Sequence, residues 1–147
     1  MAPLLNEDNQ NRVREVFKEM QSPVDVVLFS SKANCEYCES TQQLLEEVTG
    51  LSEKIQLEVH DLDADRDLAA SYGIDKAPGF AIVAKPADTP VDFGIRFYGI
   101  PSGHEFTTLV NDLVMVSAQS SGLNPETVSS LQEIKTPVHL QVFITPT

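Results

Sequence analysis

Two cysteines limit the possible folds of this chain more than any other feature. Cys35 and Cys38 are the only cysteines among its 147 residues, and two residues separate them. They follow a valine-rich apolar run, residues 24–29, and introduce a run with helical spacing, residues 36–49. A C-x-x-C pair between a strand and a helix is typical of a redox pair that opens and closes a disulfide. The sequence therefore predicts thiol–disulfide chemistry at these two positions.

The spacing of apolar residues predicts helices that alternate with strands. Helical spacing covers residues 6–20, 36–49, 65–72 and 102–116, and strand-like runs cover residues 24–29, 55–59, 80–84 and 93–98. Ser102 and Glu105 have the S-x-x-E form of a capping box at the start of a helix. The resulting order, α-β-α-β-α-β-β-α, predicts an α/β fold with a mixed central sheet and helices on both faces.

Charge and hydropathy exclude several classes of function. The net charge of −12 opposes binding to nucleic acid or to an anionic membrane, since both need a basic surface. No apolar run approaches the ~20 residues that a membrane-spanning helix needs. Residues 1–10 are polar and acidic, unlike a secretory signal, so we expect a cytoplasmic protein. The acidic residues between 53 and 67 form either a solvated surface or a docking face for a partner.

The end of the chain repeats its beginning. Pro23 precedes Pro137 by the same number of residues as Phe29 precedes Phe143. Both copies have the pattern of a helix, a break of a polar residue and proline, and a strand. The second copy covers residues 123–147, with a helix opened by Asn124 and a strand at 138–144. We therefore expect one unit at residues 1–117, a Ser-rich linker at 118–122, and the first helix and strand of a truncated second unit. The alternative is a chance resemblance between two segments with a helix, a proline and a strand. An unpaired strand seeks a partner, which allows a homodimer through the C-terminal strand.

Three segments resemble a known family. Residues 29–38 resemble the active-site region of thioredoxins, and residues 72–78 resemble the segment that ends at their cis-proline, here Pro78. The Glu-Tyr pair between the cysteines is closer to the Pro-Tyr of glutaredoxins. Residues 92–106 resemble the first unit of protein disulfide oxidoreductases, also called glutaredoxin-like domain proteins. The resemblance covers about residues 10–147.

The resemblance implies a thioredoxin-like fold and a redox function. Members of this family join two thioredoxin-fold units, each with its own C-x-x-C. The implied activity is that of a protein disulfide oxidoreductase acting in cell redox homeostasis, with Cys35 and Cys38 cycling between dithiol and disulfide and with no bound cofactor. The implied partners are protein disulfide or dithiol substrates and an upstream thiol reductant or reductase.

The chemistry of exchange and the resemblance together suggest a role for each site residue. Cys35, expected in the first turn of the helix, would attack as a thiolate stabilised by the helix dipole, and the more buried Cys38 would resolve the mixed disulfide. A cis bond before Pro78 would turn the backbone of Ala77 toward the cysteines, where an extended substrate can pair with it. Tyr37 would form a wall of the substrate groove or pack at the start of the helix.

The sequence departs from thioredoxins in the strand before the cysteines. Thioredoxins carry a buried Asp that assists proton transfer, and by spacing Phe29 occupies that position, as an apolar residue does in glutaredoxins. We therefore assign no dedicated general base. Glu36 and Glu39 would oppose a thiolate at the site, and Lys32 would offset them.

Other interpretations of the cysteines remain open. Structural zinc usually takes four ligands, and neither His60 nor His104 has ligand spacing to the pair, so no metal site is predicted. A two-iron cluster shared between chains and a pair of inert thiols are further alternatives. For the whole protein, the alternatives are an electron-relay module for a dedicated reductase or peroxidase and a non-catalytic interaction domain.

Overall fold

A four-stranded mixed sheet lies at the centre of the computed structural model, which describes residues 2–145. The strands are β1 (Val24–Ser30), β2 (Ile55–Asp61), β3 (Gly79–Ala84) and β4 (Arg96–Tyr98). Their order across the sheet is β2-β1-β3-β4. β1 runs parallel to β2 and antiparallel to β3, and β3 runs antiparallel to β4. The prediction of a mixed sheet is confirmed.

Within the described residues, five α-helices accompany the sheet. They are α1 (Glu7–Phe17), α2 (Cys38–Thr49), α3 (Arg66–Ser71), α4 (His104–Ala118) and α5 (Pro125–Gln132). Asn6 caps α1 and Asn124 caps α5 in the same way, because each side chain accepts the backbone N–H three residues on, at 2.8 Å. None of the helices within residues 2–145 combines the length and the apolar character that a membrane crossing needs.

The two faces of the sheet are covered by different helices, as predicted. On one face, alternate side chains of β1 and β3 pack with α1, α2 and α4 into the larger core, which includes Val26, Leu28, Leu45, Phe80 and Leu113. On the other face, the remaining side chains of both strands pack against α3 and the segment after it. This smaller core contains Val27, Phe29, Ala69, Ile74, Ala81 and Val83. Both central strands are therefore buried on both sides, which explains their nearly continuous apolar sequence.

Three local predictions are wrong. Ser102 does not cap α4, because the residue before the helix is Gly103, at φ 62°, and no side chain caps it there. β4 begins at Arg96 rather than at Phe93, because the Asp92 carboxylate accepts the N–H of Gly94 at 2.9 Å and holds a turn there. The predicted strand at residues 138–144 is absent from the described structure, where its large apolar side chains are exposed and no strand pairs with it.

Charged residues at the edges of the core have local partners. Asp25 in β1 is buried and pairs with the Lys85 ammonium group at 3.0 Å. The hydrogen bond from Lys85 to this carboxylate raises the lysine pKa. In the acidic segment, Asp61 Oδ1 accepts the backbone N–H groups of Asp63 and Ala64, each at 3.0 Å. Part of that acidity therefore stabilises the turn after β2.

Candidate functional site

Cys35 and Cys38 form a disulfide where β1 leads into α2. Their Cα atoms are 5.5 Å apart, within the usual range for a bridged pair. Cys38 is the first residue of α2 and only 3% exposed, whereas Cys35 is partly exposed. Cys35 is therefore the more accessible of the two sulfurs, and the attacking role expected for it stays a prediction.

The start of α2 differs from the expectation for Cys35. The helix begins at Cys38 with Tyr37 as its N-cap, and the first helical hydrogen bond runs from the Thr41 N–H to the Tyr37 carbonyl at 2.9 Å. Cys35 thus lies in the loop before the helix rather than in its first turn. The positive end of α2 still follows it directly, and anions are favoured within about one turn of such an end.

A backbone donor from the end of β1 contacts the buried sulfur. The N–H of Ser31 points at Sγ of Cys38, with the nitrogen and the sulfur 3.3 Å apart. Ser31 follows Ser30, the last residue of β1, so the strand itself fixes this donor. This contact gives the buried sulfur of Cys38 a polar partner.

The Ala77–Pro78 segment reaches the same edge of the sheet. The Ala77–Pro78 peptide bond is cis, and Pro78 is buried directly before β3. Gly79 pairs with Phe29, two residues before Ser31. Neighbouring strands therefore bring Pro78 and the disulfide loop together at the carboxyl end of β1. Ala77 is partly exposed beside it.

Gly79 allows that arrangement. A Cβ at this position would lie 2.6 Å from the Lys76 carbonyl oxygen and 3.0 Å from the Tyr98 ring. Both distances are shorter than ordinary van der Waals contact, and the first involves rigid backbone. Gly79 therefore lets the segment that carries Pro78 fold closely over the start of β3.

The surface beside the cysteines carries an aromatic ring and several exposed charges. Tyr37 is 51% exposed, and its role as a wall of a substrate groove stays a prediction. Lys32, Glu36 and Glu39 are all exposed, so solvent screens the opposing fields that they exert on Cys35.

Phe29 is completely buried at the position where thioredoxins carry Asp. Its ring stacks on His60 with centroids 5.5 Å apart and contacts Tyr72 with centroids 6.1 Å apart. His60 lies 3.4 Å from the carboxylates of Glu58 and Asp65. Phe29, His60 and Tyr72 thus form an aromatic cluster at the carboxyl end of β1.

His60 and His104 lie on different elements from the cysteines. His60 is in β2 within the aromatic cluster, and His104 is the exposed first residue of α4. Within residues 2–145, no three His, Cys, Asp or Glu side chains gather in a way that would hold a metal ion. The site as described is built from sulfur, backbone and aromatic groups.

Sequence reasoning missed three contributors to the site. The Ser31 N–H and the close approach of the chain at Gly79 arise from how β1 and β3 pair. A glycine directly after a predicted cis-proline does indicate such a close approach. The third is Thr41, a fully buried polar residue one turn after Cys38. The sequence does indicate that Thr41 is buried, because it shares the helical spacing of the inward residues Leu44, Leu45 and Val48.

Solved structures of two kinds of redox protein are similar to this chain at more than a quarter identity. A protein disulfide oxidoreductase from Aeropyrum pernix aligns with a TM-score of 0.83 and 31% identity over 96% of this chain and 60% of that one. The alkylhydroperoxide reductase component AhpF of Enterococcus faecalis aligns with a TM-score of 0.78 and 27% identity over 89% of this chain and 61% of that one.

The sequence comparison agrees with the structural one. The AhpF component of the alkyl hydroperoxide reductase of Pseudomonas aeruginosa is 26% identical over 132 residues, which is 90% of this chain and 22% of that protein. The chain thus spans about a fifth of the length of the curated relatives that it matches. No family model matches. The sheet, the disulfide beside Pro78 and these likenesses together make the chain a member of the thioredoxin superfamily, similar to protein disulfide oxidoreductases and to part of AhpF.

Proposed function

We propose that this chain is a thiol–disulfide oxidoreductase that acts on protein disulfides through Cys35 and Cys38. The observation that carries the proposal is the disulfide itself, with one partly exposed and one buried sulfur at the carboxyl end of β1, beside Pro78. A structural disulfide has no need of an accessible sulfur, whereas exchange requires one.

The proposed cycle begins with the reduced pair. The Cys35 thiolate attacks one sulfur of a substrate disulfide, and the other substrate sulfur leaves with the bonding electron pair. Cys38 then gives up its proton and attacks Sγ of Cys35, so that the Cys35–Cys38 bond forms and the mixed disulfide breaks. Two electrons have passed to the substrate, which leaves as a dithiol. The reverse sequence oxidises a dithiol with the same atoms.

Substrate binding is proposed for Ala77, Pro78 and Tyr37. An extended peptide can pair with free backbone groups of Ala77, because this residue is partly exposed and precedes the strand. The Tyr37 ring offers an exposed aromatic surface two residues from Cys35. Such a groove recognises backbone shape rather than a particular side chain, which suits varied protein substrates.

The decisive experiment is the redox equilibrium of the cysteine pair against glutathione buffers, trapped with a thiol reagent. We expect a reversible two-electron transition between roughly −120 and −270 mV, the range of thioredoxin-fold oxidoreductases. The Cys38→Ser variant should accumulate a mixed disulfide with substrate, and Cys35→Ser should form none. Failure to form the internal disulfide reversibly would reject the proposal and leave the non-catalytic interaction domain.

A second candidate is an electron relay for a dedicated reductase or peroxidase. The observation in its favour is the similarity to AhpF over 90% of this chain. The two functions share the same cysteine chemistry and differ in the partner. Turnover with one peroxidase or reductase at rates far above those with insulin or other general disulfides would select the relay, and comparable rates would select the general enzyme.

We further propose that residues 123–147 begin a second thioredoxin-like unit, joined by the linker at 118–122. The matching Asn caps of α1 and α5 support this, as does the A. pernix similarity over 96% of the chain. Limited proteolysis should cut within residues 118–145 and leave 2–117 intact. Cleavage that begins inside 2–117 would contradict this division.

We also propose a cytoplasmic location, which cell fractionation would test.

A further inference from the structure

Thr41 has a buried hydroxyl that finds no hydrogen-bond partner in the described part of the chain. The residue is 0% exposed in α2, and its Oγ1 is the buried side-chain oxygen without a partner. A helical threonine commonly bonds the carbonyl four residues earlier. Here the Tyr37 carbonyl accepts the Thr41 N–H, as in any helix, and receives no bond from Oγ1 of Thr41. An orphaned buried hydroxyl is rare enough that each one calls for a physical reason.

The position of Thr41 supplies that reason. Residues three apart in a helix are neighbours, and helical side chains lean toward the N-terminus, so Thr41 lies over the turn that holds Cys38. Both side chains are buried on the same face of α2. In a disulfide, Sγ of Cys38 is a weak acceptor, and it already receives the Ser31 N–H. A thiolate at the same atom is a much stronger acceptor.

We propose that the Thr41 hydroxyl donates a hydrogen bond to Sγ of Cys38 in the reduced protein and thereby shifts the dithiol–disulfide equilibrium toward the dithiol. This inference rests on the proposed redox cycle. When two electrons enter the disulfide, the S–S bond breaks and Cys38 becomes a thiol or thiolate. Thr41 keeps its own proton and forms no covalent bond. Its hydroxyl has a hydrogen-bond partner in the reduced state and none in the oxidised state. The reduced state is therefore favoured, which makes the Cys35–Cys38 disulfide a stronger oxidant.

The same contact serves the resolving step. Cys38 must carry negative charge to attack Sγ of Cys35, and its burial disfavours that charge. Phe29 offers no acceptor or donor there, since it is a buried aromatic residue. Ser31 and Thr41 are then two donors that stabilise the Cys38 thiolate, one from the end of β1 and one from α2. Thr41 is therefore a positioning residue that acts through Cys38.

The test is the redox equilibrium of Thr41→Val, which replaces the hydroxyl with a methyl group of similar size. We expect its equilibrium constant with glutathione to shift about tenfold toward the disulfide, the usual worth of one buried hydrogen bond. For a two-electron couple that corresponds to a midpoint about 30 mV more negative. An equilibrium within twofold of the wild type would overturn the proposal.

A second pair of variants separates the hydroxyl from packing. Thr41→Ser and Thr41→Ala both lack the methyl group and differ only in the hydroxyl, so they remain informative if Thr41→Val does not fold. We expect the Ser variant to stay near the wild type and the Ala variant to shift like Val. A shift of equal size in both would assign the effect to packing and reject the proposal. A wild-type protein that does not cycle would instead reject the function proposed above.

Discussion

Cys38 and Phe29 show how single residues define this site. Both are buried, and Phe29 replaces the ionisable group of thioredoxins with an aromatic ring that stacks on His60. The polar partner seen at Cys38 is the backbone N–H of Ser31, and the partner proposed for the reduced state is the Thr41 hydroxyl. A carboxylate at the buried position of Phe29 would be an unpaired charge, which can cost several kcal/mol, and the aromatic ring avoids that cost.

Tyr37 offers a prediction for a single side chain. Because its ring is half exposed and outside the core, Tyr37→Ala should change the free energy of unfolding by no more than about 0.5 kcal/mol. The redox potential should stay the same, since the polar contact to the buried sulfur comes from Ser31. The KM for a protein disulfide substrate should rise several-fold, while the rate with a small disulfide remains unchanged. Equal loss with both substrates would argue against a groove wall. Tyr37→Phe is the matched control.

Gly79 gives a prediction for the start of β3. The Gly79→Ala variant would place a methyl group 2.6 Å from the Lys76 carbonyl oxygen, so the segment before the strand must move. Overpacking of this kind costs about 1–3 kcal/mol. We expect lower stability together with reduced exchange activity, measured by denaturant unfolding and by turnover. Gly50→Ala, at the end of α2, is a control with a milder contact of 3.1 Å. Full activity in Gly79→Ala would show that the Pro78 segment tolerates displacement.

The turn before β4 gives a prediction for pH dependence. The Arg96 guanidinium donates to the Asp92 carboxylate and, through Nε, to the Tyr72 carbonyl at 2.8 Å. The Arg96 hydrogen bond, with help from the Gly94 N–H and against the effect of burial, lowers the pKa of Asp92. A lowered folded-state pKa stabilises the fold above the unfolded-state pKa of about 3.9, and this contribution is lost as the pH falls through the folded-state pKa.

Asp92→Asn should therefore be less stable than the wild type at pH 7, by about 0.5–1 kcal/mol because solvent screens a partly exposed pair. The difference should shrink once the pH falls below about 3.9 and vanish below the folded-state pKa. Urea unfolding of both proteins from pH 7 to pH 2 measures it. A difference that is independent of pH would mean that the turn depends on shape rather than on charge.

The body of the molecule and its C-terminal segment differ in how they are packed. Both cores are built from residues 5–116, whereas nearly every side chain between 119 and 145 is exposed. The exposed apolar residues there include Leu131, Ile134, Leu140, Val142 and Phe143. A stretch of this kind adds little to the stability of the body and leaves apolar surface open to association.

A chain that ends at residue 122 should thus keep the free energy of unfolding and the redox potential of the whole chain, with a stability difference within about 0.5 kcal/mol. Denaturant unfolding and glutathione equilibrium measure both quantities. A large loss of stability would show that residues 123–147 pack on the body.

Self-association should separate the two forms of the chain. We expect concentration-dependent dimers of the whole chain in sedimentation equilibrium and a monomer after removal of residues 123–147. The reason is that the exposed apolar side chains of this segment can be buried against a second copy of the chain. Dimers of equal affinity in both forms would indicate that the contact lies elsewhere, at the sheet edges formed by β2 and β4.

Local sequence was sufficient to predict the alternation of helices and strands, the cysteine pair and the segment that ends at Pro78. These features follow from periodicity and from short motifs, which depend on residues close together in the chain. For the same reason, the Asn cap of α5 could be predicted, since capping is a contact over three residues.

The remaining features required the three-dimensional structure, because they depend on residues far apart in sequence. The pairing of Phe29 with Gly79 places Pro78 beside the disulfide, and the burial of Thr41 orphans its hydroxyl. Ser102 fails as a cap because the chain turns at Gly103 before α4 begins. Residues 138–144 have the pattern of a strand and do not form one, since a strand is completed by a neighbour and the described chain places none beside it.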